Sequence, residues 1–222
     1  MAKPVKVFLL GRPGSGKTTA FHYIEMLVSD KRWKAIRFRE YPILHSMFQN
    51  DIGMKVRPTE HGGFDILDFS VFFESAKCIE QQIQEYISTE PSQDFIFIEL
   101  ARDDYSHALT CFSPGFLQDS YFLFFEVDIN TCIERIRVRV ANQTSDGHFI
   151  SERILRSYYF KDNKPYMTSN FKTDYNMHKR VEVIDNTASL PELGEKLEAV
   201  VSVILAKEMS DNTHTIPVGA MQ

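Results

Sequence analysis

Apolar runs of six or seven residues recur along the chain, and polar segments with helical spacing separate them. Runs of this length, bounded by turn residues, are typical of buried strands. Strands that alternate with helical segments predict an α/β fold built on a mainly parallel sheet. The predicted strands are VKVFLL at 5–10, AIRFRE at 35–40, DFIFIEL at 94–100, YFLFFEV at 121–127 and RVEVID at 180–185.

Apolar residues also recur at offsets of three and four in other segments, as expected for helices with one buried face. The first such helix should begin at the end of a glycine-rich turn, and the last has Pro191 in its first turn, where proline is tolerated. The predicted helices cover residues 17–30, 69–86 and 189–207.

Two polar loops interrupt this pattern, at about 50–68 and 141–150, and the second begins an expected lid region of about 141–157 that ends in a helix. Long polar loops in a compact α/β domain usually carry function. We expect the first to lie on the substrate side and the second to form a small lid. A chain of 222 residues suits one well-buried core, so residues 1–207 are predicted to form a single domain. Residues 208–222 lose all periodicity and are expected to be a flexible tail.

The composition, with 43% hydrophobic and 25% charged residues, is that of an ordinary globular protein. A net charge of -5 and the lack of a lysine or arginine run argue against binding to a nucleic-acid backbone. Cys78, Cys111 and Cys132 are far apart, so neither a disulfide framework nor a zinc site is indicated. We see no signal peptide or membrane span, and expect a cytoplasmic protein whose oligomeric state the sequence leaves open.

The first predicted strand leads into GRPGSGKT at 11–18, which fits G-x-x-x-x-G-K-[ST] at every fixed position. Glycines let successive main-chain N–H groups point at phosphate oxygens, and the following helix adds the positive end of its dipole. Lys17 can reach the β- and γ-phosphates, and the Thr18 hydroxyl is placed to bind Mg²⁺. ATP and Mg²⁺ are therefore the expected cofactors, held by Gly11, Arg12, Pro13, Gly14, Ser15, Gly16, Lys17, Thr18 and Thr19.

With this motif the chain resembles the P-loop NTPase superfamily. It differs from the GTPase branch, because no glycine has an aspartate three positions before it and NKPY at 163–166 lacks the final aspartate of N-K-x-D. The strand FIFIEL also lacks the Asp-Glu pair of motor ATPases. The chain is similar instead to small-molecule and nucleotide kinases of the nucleoside monophosphate kinase, shikimate kinase or zeta-toxin type. That resemblance implies a three-layer α/β/α fold with a five-stranded parallel sheet of order 2-3-1-4-5 and a small lid.

Two strand ends supply carboxylates where a kinase of this type holds its phosphoryl acceptor. Glu40 ends the second predicted strand, and Glu99 lies near the end of the third, three residues before Arg102. Deoxynucleoside kinases are similar in this placement. An acceptor hydroxyl needs a proton acceptor, and arginines offset the charge of the transferring group. Glu40 equally fits a solvated strand end, whereas Glu99 is expected to act as general base or to hold Mg²⁺ through water.

Arg135 and Arg139 are four residues apart, so they share a face of the helix predicted before the lid. The resemblance to nucleoside monophosphate kinases implies that Arg135 reaches phosphate and that Arg139 contacts phosphate or the base. Solvated arginines paired with nearby glutamates are the alternative. Asn186 and Thr187 follow the fifth predicted strand. The resemblance places adenine there, although both residues also suit a helix cap.

The substrate-side loop contains polar groups among aromatic residues, a mixture that suits a polar organic substrate. Arg57, His61 and Asp65 are the predicted substrate contacts, and each equally fits an ordinary solvated loop position.

These features predict an ATP-dependent phosphotransferase that transfers the γ-phosphate to a nucleotide, a nucleoside or another hydroxyl compound. Two alternatives stay open: a nucleotide-binding regulatory ATPase that acts on a protein partner, and a kinase of the toxin or resistance type. The predicted catalytic residues are Lys17, Glu40, Glu99, Arg102, Arg135 and Arg139.

Overall fold

The computed structural model describes residues 3–50, 55–60, 63–89, 94–142 and 149–213. Its strands are β1 Val5–Leu10, β2 Lys34–Arg39, β3 Val56–Pro58, β4 Phe64–Ile66, β5 Asp94–Leu100, β6 Ser120–Glu126 and β7 Val181–Asp185. Its helices are α1 Lys17–Ser29, α2 Glu40–Gln49, α3 Val71–Thr89, α4 Tyr105–Ala108, α5 Pro114–Gln118, α6 Ile129–Ala141, α7 Glu152–Ser157, α8 Phe171–Asp174 and α9 Leu190–Thr213. A 3-10 turn at Leu109–Cys111 and a π-helical turn at Tyr166–Asn170 complete this set.

Five parallel strands form the main sheet in the order β2-β5-β1-β6-β7. When the strands of the main sheet are numbered one to five, without β3 and β4, this is the expected order 2-3-1-4-5. The predicted α/β class is confirmed. The central strand β1 is buried along its whole length. Because β1 lies between β5 and β6, the loop that follows it emerges at the centre of the carboxyl edge of the sheet.

Helices cover both faces of the sheet, since alternate side chains of each buried strand point to opposite layers. On one face, Val7, Phe97 and Leu123 pack with α1 and α9. On the other face, Phe8 and Ile98 pack with α3, α4 and α5. The chain therefore has the three-layer α/β/α architecture expected from its sequence.

Several ends of strands and helices differ from the sequence expectations by one to three residues. Three differences are more consequential. Strand β2 ends at Arg39, so Glu40 begins helix α2 instead of closing a strand. The predicted loop at 50–68 contains the antiparallel hairpin β3–β4. The hairpin packs through Phe64 and Ile66, which alternate along β4 and are buried against α2 and α3. Helix α9 continues to Thr213, six residues beyond its predicted end at Lys207.

Within the described ranges, no helix combines the length and the apolar character that a membrane crossing requires.

Candidate active site

Three glycines give the loop after β1 its shape. Gly11, Gly14 and Gly16 have φ values of 144°, 83° and 96°, which side chains rarely allow. A Cβ at Gly14 would lie 2.6 Å from the Cys132 carbonyl oxygen, and a Cβ at Gly16 would overlap the Asn186 amide. The glycine pattern is therefore required by both backbone conformation and space, and the loop forms the tight cradle that phosphate oxygens need.

Neighbouring elements brace this loop on several sides. The Gly11 N–H donates to the Tyr105 hydroxyl at 2.7 Å, and Asn186 Nδ2 donates to the Ser15 carbonyl at 2.8 Å. Arg12 donates to the carbonyl oxygens of Tyr159 at 2.7 Å and Val127 at 3.0 Å. The Arg12 side chain is thus directed away from the cradle, so any phosphate contact from this residue would come from its main chain.

Two polar groups inside the cradle point to an anionic ligand. Lys17 is 5% exposed, and its Nζ atom donates to the Gly11 and Arg12 carbonyl oxygens, both at 2.8 Å. Burial lowers the Lys17 pKa from its ordinary value, although Glu99 opposes this shift. The buried Ser15 hydroxyl makes no hydrogen bond within the described part of the chain. A buried hydroxyl without a partner is unusual, and a phosphate oxygen would satisfy it.

Arg37, Glu99 and Thr18 form a cluster beside the start of α1. Arg37 Nε lies 3.1 Å from Glu99 Oε2, and Arg37 Nη2 lies 2.9 Å from Thr18 Oγ1. Glu99 follows Phe97 by two residues and so points to the same α1 face of the sheet. This geometry places the predicted base beside the predicted metal ligand. Sequence reasoning missed Arg37.

Glu40 and Arg102, both predicted to be catalytic, contact each other in a way that favours a structural role. They form a buried two-pronged ion pair, with relative exposures of 5% and 4%. Ser75 donates to Glu40 as well, and Arg102 also donates to the Phe72 carbonyl oxygen at 3.1 Å. Burial acts to lower the Arg102 pKa, but Glu40 outweighs it and the pKa is raised. Their hydrogen-bonding capacity is used within the protein, so neither is offered to a substrate as a proton acceptor or a free cation.

Two hairpin residues predicted to contact substrate, Arg57 and Asp65, form an ion pair with each other. Asp65 is 1% exposed and accepts from the Ser151 N–H at 3.1 Å and the Ser151 hydroxyl at 2.7 Å. Arg57 pairs with the same carboxylate at 2.9 Å. Asp65 therefore fastens the hairpin to the start of α7, and it also lines the cavity described below. A substrate contact for Arg57 or Asp65 stays a prediction. The third candidate, His61, lies outside the described residues.

The arginines of α6 lie near the loop. Arg135 donates to the Asn186 carbonyl oxygen at 2.8 Å, and both Arg135 and Arg139 line the cavity described below. Burial lowers the Arg139 pKa, and Glu99 opposes the shift. The expected pairing with glutamate applies to Arg137, which lies 3.5 Å from Glu134. Exposed Thr187 donates to Asp185 at the end of β7, which favours the local turn over an adenine contact.

These groups surround a cavity of about 450 Å³. One end contains the glycine loop, Lys17, Thr18, Arg37 and Glu99. The other end is lined mainly by apolar side chains from α2, the hairpin, the start of α3 with the turn before it, and α7 with its flanking residues. These side chains are Tyr41, Leu44, Phe64, Ile66, Phe69, Phe72, Ile150, Ile154 and Tyr158.

The site fits the expected nucleotide and metal. The bare cradle and the Ser15 hydroxyl suit phosphate oxygens, and the Thr18 hydroxyl can complete a Mg²⁺ shell formed largely by nucleotide and water oxygens. A protein cage of three or more histidine, cysteine or carboxylate ligands is not found among the described residues.

Solved structures with this architecture include a gluconokinase from Sinorhizobium meliloti 1021, 15% identical, which covers 96% of this chain and 100% of its own with a TM-score of 0.53. The Mycobacterium tuberculosis APS kinase, in complex with AMPPNP and APS, is 13% identical and covers 92% and 99% of the two chains with a TM-score of 0.56. Shikimate kinase from Acinetobacter baumannii, in complex with shikimate, is 12% identical and covers 93% and 96% with a TM-score of 0.50. The fold is that of the P-loop small-molecule kinases.

No protein-family model matches the sequence, and no curated protein matches it. The P-loop kinase fold is therefore established by three-dimensional similarity, and at these identities the similarity extends to fold alone.

Within this fold, Tyr105 and Asn163 are further residues that the sequence analysis did not single out for the site. Asn163 Oδ1 accepts from the Tyr105 N–H at 2.9 Å, which positions the tyrosine against Gly11.

Proposed function

We propose that the protein is an ATP-dependent kinase that transfers the γ-phosphoryl group to a hydroxyl of a small molecule. The observation that carries this proposal is the continuity of the cavity. The glycine loop opens into a second space with its own walls, on the side of β2 and β5. A site for hydrolysis alone needs room only for a water molecule, whereas this second space has an extended apolar lining of the kind that binds an organic molecule.

The orientation expected for a bound nucleotide supports this proposal. Thr18 contacts Arg37 of β2, while Asn186, after β7, braces the opposite side of the loop. The γ-phosphate end should therefore face β2 and β5, and the base should lie toward β7. An acceptor in the apolar end of the cavity would then approach the γ-phosphorus from the side opposite ADP.

In the proposed reaction, a bond forms between the acceptor oxygen and the γ-phosphorus, and the bond from that phosphorus to the β,γ-bridging oxygen breaks. ADP leaves, and the hydroxyl proton passes to Glu99 or to water. Lys17, Arg135 and Arg139 would offset negative charge on the phosphates and the transferring group. Mg²⁺ held through Thr18 would neutralise charge on the β- and γ-phosphates.

The small molecules named for the solved kinases with this fold support the proposal. One is a gluconokinase, one is an APS kinase bound to AMPPNP and APS, and one is a shikimate kinase bound to shikimate. Each name implies a small-molecule acceptor, and the similarity covers more than nine-tenths of this chain in all three cases.

The test is ADP release from Mg·ATP with and without a panel of nucleosides, nucleoside monophosphates, sugars, hydroxy acids and aromatic alcohols. Phosphorus NMR would identify any new phosphate ester. At least one acceptor should raise turnover many-fold, and Lys17→Ala should abolish it, whereas the exposed Lys31→Ala should not. Turnover that no acceptor changes, but that a protein partner stimulates, would contradict the proposal and favour a regulatory ATPase.

A second variant addresses the role of Glu99. Glu99→Gln should reduce transfer more than it reduces ATP affinity, because the group is placed to act on the acceptor. An equal loss in both quantities would indicate a structural or metal-associated role instead.

A further inference from the structure

The apolar end of the cavity is enclosed mainly by rings. We define the aromatic wall as Tyr41, Phe64, Phe69, Phe72 and Tyr158. Phe69 stacks on Tyr158 with 4.0 Å between ring centroids and 17° between planes, and Tyr41 lies nearly parallel to Phe64 at 6.0 Å. Phe72 and Tyr158 are also stacked, at 5.6 Å. Two stacked groups of rings thus border one space.

The carboxylates at this end already have protein partners. Glu40 is bound by Arg102 and Ser75, and Asp65 by Ser151. Neither has the free hydrogen-bonding capacity that a polyol acceptor would need when its many hydroxyl groups leave water. Buried hydroxyls without partners are costly, so a compound with several of them is disfavoured here.

The remaining charged groups lie toward the transfer point. Arg37 and Glu99 are next to Thr18, and Arg39 lines the cavity at the end of β2. The cavity thus changes from charged at the phosphate end to apolar at the far end. Phe69 of this apolar end is also 42% exposed, so part of its ring surface is accessible from solvent.

We propose that the acceptor is an alcohol or phenol with one reacting hydroxyl on an apolar, ring-containing body. The ring would lie against the aromatic wall, where parallel and edge contacts between rings add to the burial of apolar surface. The hydroxyl would then point to the charged end, between Glu99 and the γ-phosphate. This inference rests on the proposed kinase function, whose phosphoryl-transfer step it leaves unchanged.

The first experiment compares two groups of acceptors at equal concentration with Mg·ATP and the full chain. One group contains phenols and aryl-substituted alcohols, and the other contains gluconate, shikimate and simple sugars. We expect a phosphate ester with members of the aromatic group and none with the polyols. Esters formed only with polyols would overturn the inference while leaving the kinase function intact.

The second experiment tests the wall itself. Phe69→Ser should raise the KM for an aromatic acceptor about tenfold and leave the KM for ATP unchanged. Phe73→Ser is the matched control, because Phe73 is 47% exposed, lies nearby on α3 and does not line the cavity. Equal effects of the two substitutions on the acceptor KM would contradict a role for the wall.

A binding measurement separates the two proposals if turnover is absent. Ligand-observed NMR on the protein with Mg·ADP should detect binding of the aromatic alcohols, weakened by Phe69→Ser, and no binding of the polyols. Aromatic binding without any acceptor-dependent turnover would count against the kinase function alone. Failure of the aromatic alcohols to bind would overturn the acceptor class.

Discussion

Arg37 and Glu99 form an ion pair across the neighbouring strands β2 and β5, with 3.1 Å between Arg37 Nε and Glu99 Oε2. The same guanidinium donates to Thr18 Oγ1 at 2.9 Å. One cation therefore contacts both the proposed proton acceptor and the proposed metal ligand. Its ring contact with Phe21, 4.7 Å from the guanidinium carbon to the centroid, fixes its orientation.

Removal of this cation should impair both stability and catalysis. The side chains of Arg37 and Glu99 are 10% and 18% exposed, so Arg37→Met leaves a largely buried carboxylate without its partner. We expect a loss of about 2 kcal/mol in unfolding free energy, somewhat below that for a fully buried pair. We also expect kcat to fall more than ATP affinity. Urea unfolding and steady-state kinetics would measure these effects.

Arg180→Met provides the control for that substitution. Arg180 pairs with Glu182 on β7, but its side chain is 47% exposed, so the loss should be under about 1 kcal/mol. An equal loss of unfolding free energy in both variants would show that burial does not strengthen the Arg37–Glu99 pair.

ATP affinity should depend on the protonation of Lys17. Burial lowers the pKa of this lysine below its ordinary 10.5. Only the protonated amine attracts phosphate, so affinity should fall as pH rises through that lowered pKa, before an exposed lysine would titrate. Lys17→Arg keeps its charge and should bind more weakly but without this alkaline loss. Calorimetric titrations at a series of pH values below 10.5, compared with those of Lys17→Arg, would test this. A parallel decline in both proteins would contradict it.

The Glu40–Arg102 pair should be a stability element. Arg102→Met should cost about 3–5 kcal/mol because Glu40 would remain buried and charged. The double variant Glu40→Gln/Arg102→Met should recover part of this loss, since no unpaired charge remains. Urea denaturation of the single and double variants forms the required cycle. Simple additivity of the two losses would show that the pair is not coupled.

The phosphate loop should be sensitive to a single methyl group. Gly16→Ala forces a side chain onto a backbone with φ of 96° and against the Asn186 amide. We expect ATP binding to fall at least tenfold, or about 1.4 kcal/mol. Gly115→Ala adds a methyl group that meets nothing within 4 Å, so it should leave binding unchanged. Calorimetry with ATP on both variants is the measurement.

Much of the fold follows from local patterns in the sequence. The buried strands and the phosphate loop are each continuous in sequence, so periodicity and motif spacing are enough to place them. The strand order was correct because the resemblance supplied it. The hairpin β3–β4 was missed because its strands are only three residues each, too short for a clear alternation.

The site was harder to predict because its contacts join distant residues. Glu40 and Arg102 are 62 positions apart, and their pairing depends on how α2 meets the end of β5. The sequence did contain a signal for Arg37. A charged residue within a strand, beside apolar neighbours, needs a partner, and Glu99 is a second charged residue of this kind. Tyr105 gave no such signal, because buried tyrosines usually serve packing.

The position of the aromatic wall along the chain bears on how the acceptor specificity of the proposed kinase is encoded. Four of its residues, Tyr41, Phe64, Phe69 and Phe72, lie in the stretch between β2 and β5, whereas the loop that holds the triphosphate is braced from Tyr105 and Asn186. Under the proposed function, choice of acceptor and hold on the nucleotide are encoded in separate parts of the chain. Under that function, exchange of residues 41–72 would alter what is phosphorylated while leaving the phosphate loop, its braces and Glu40 in place.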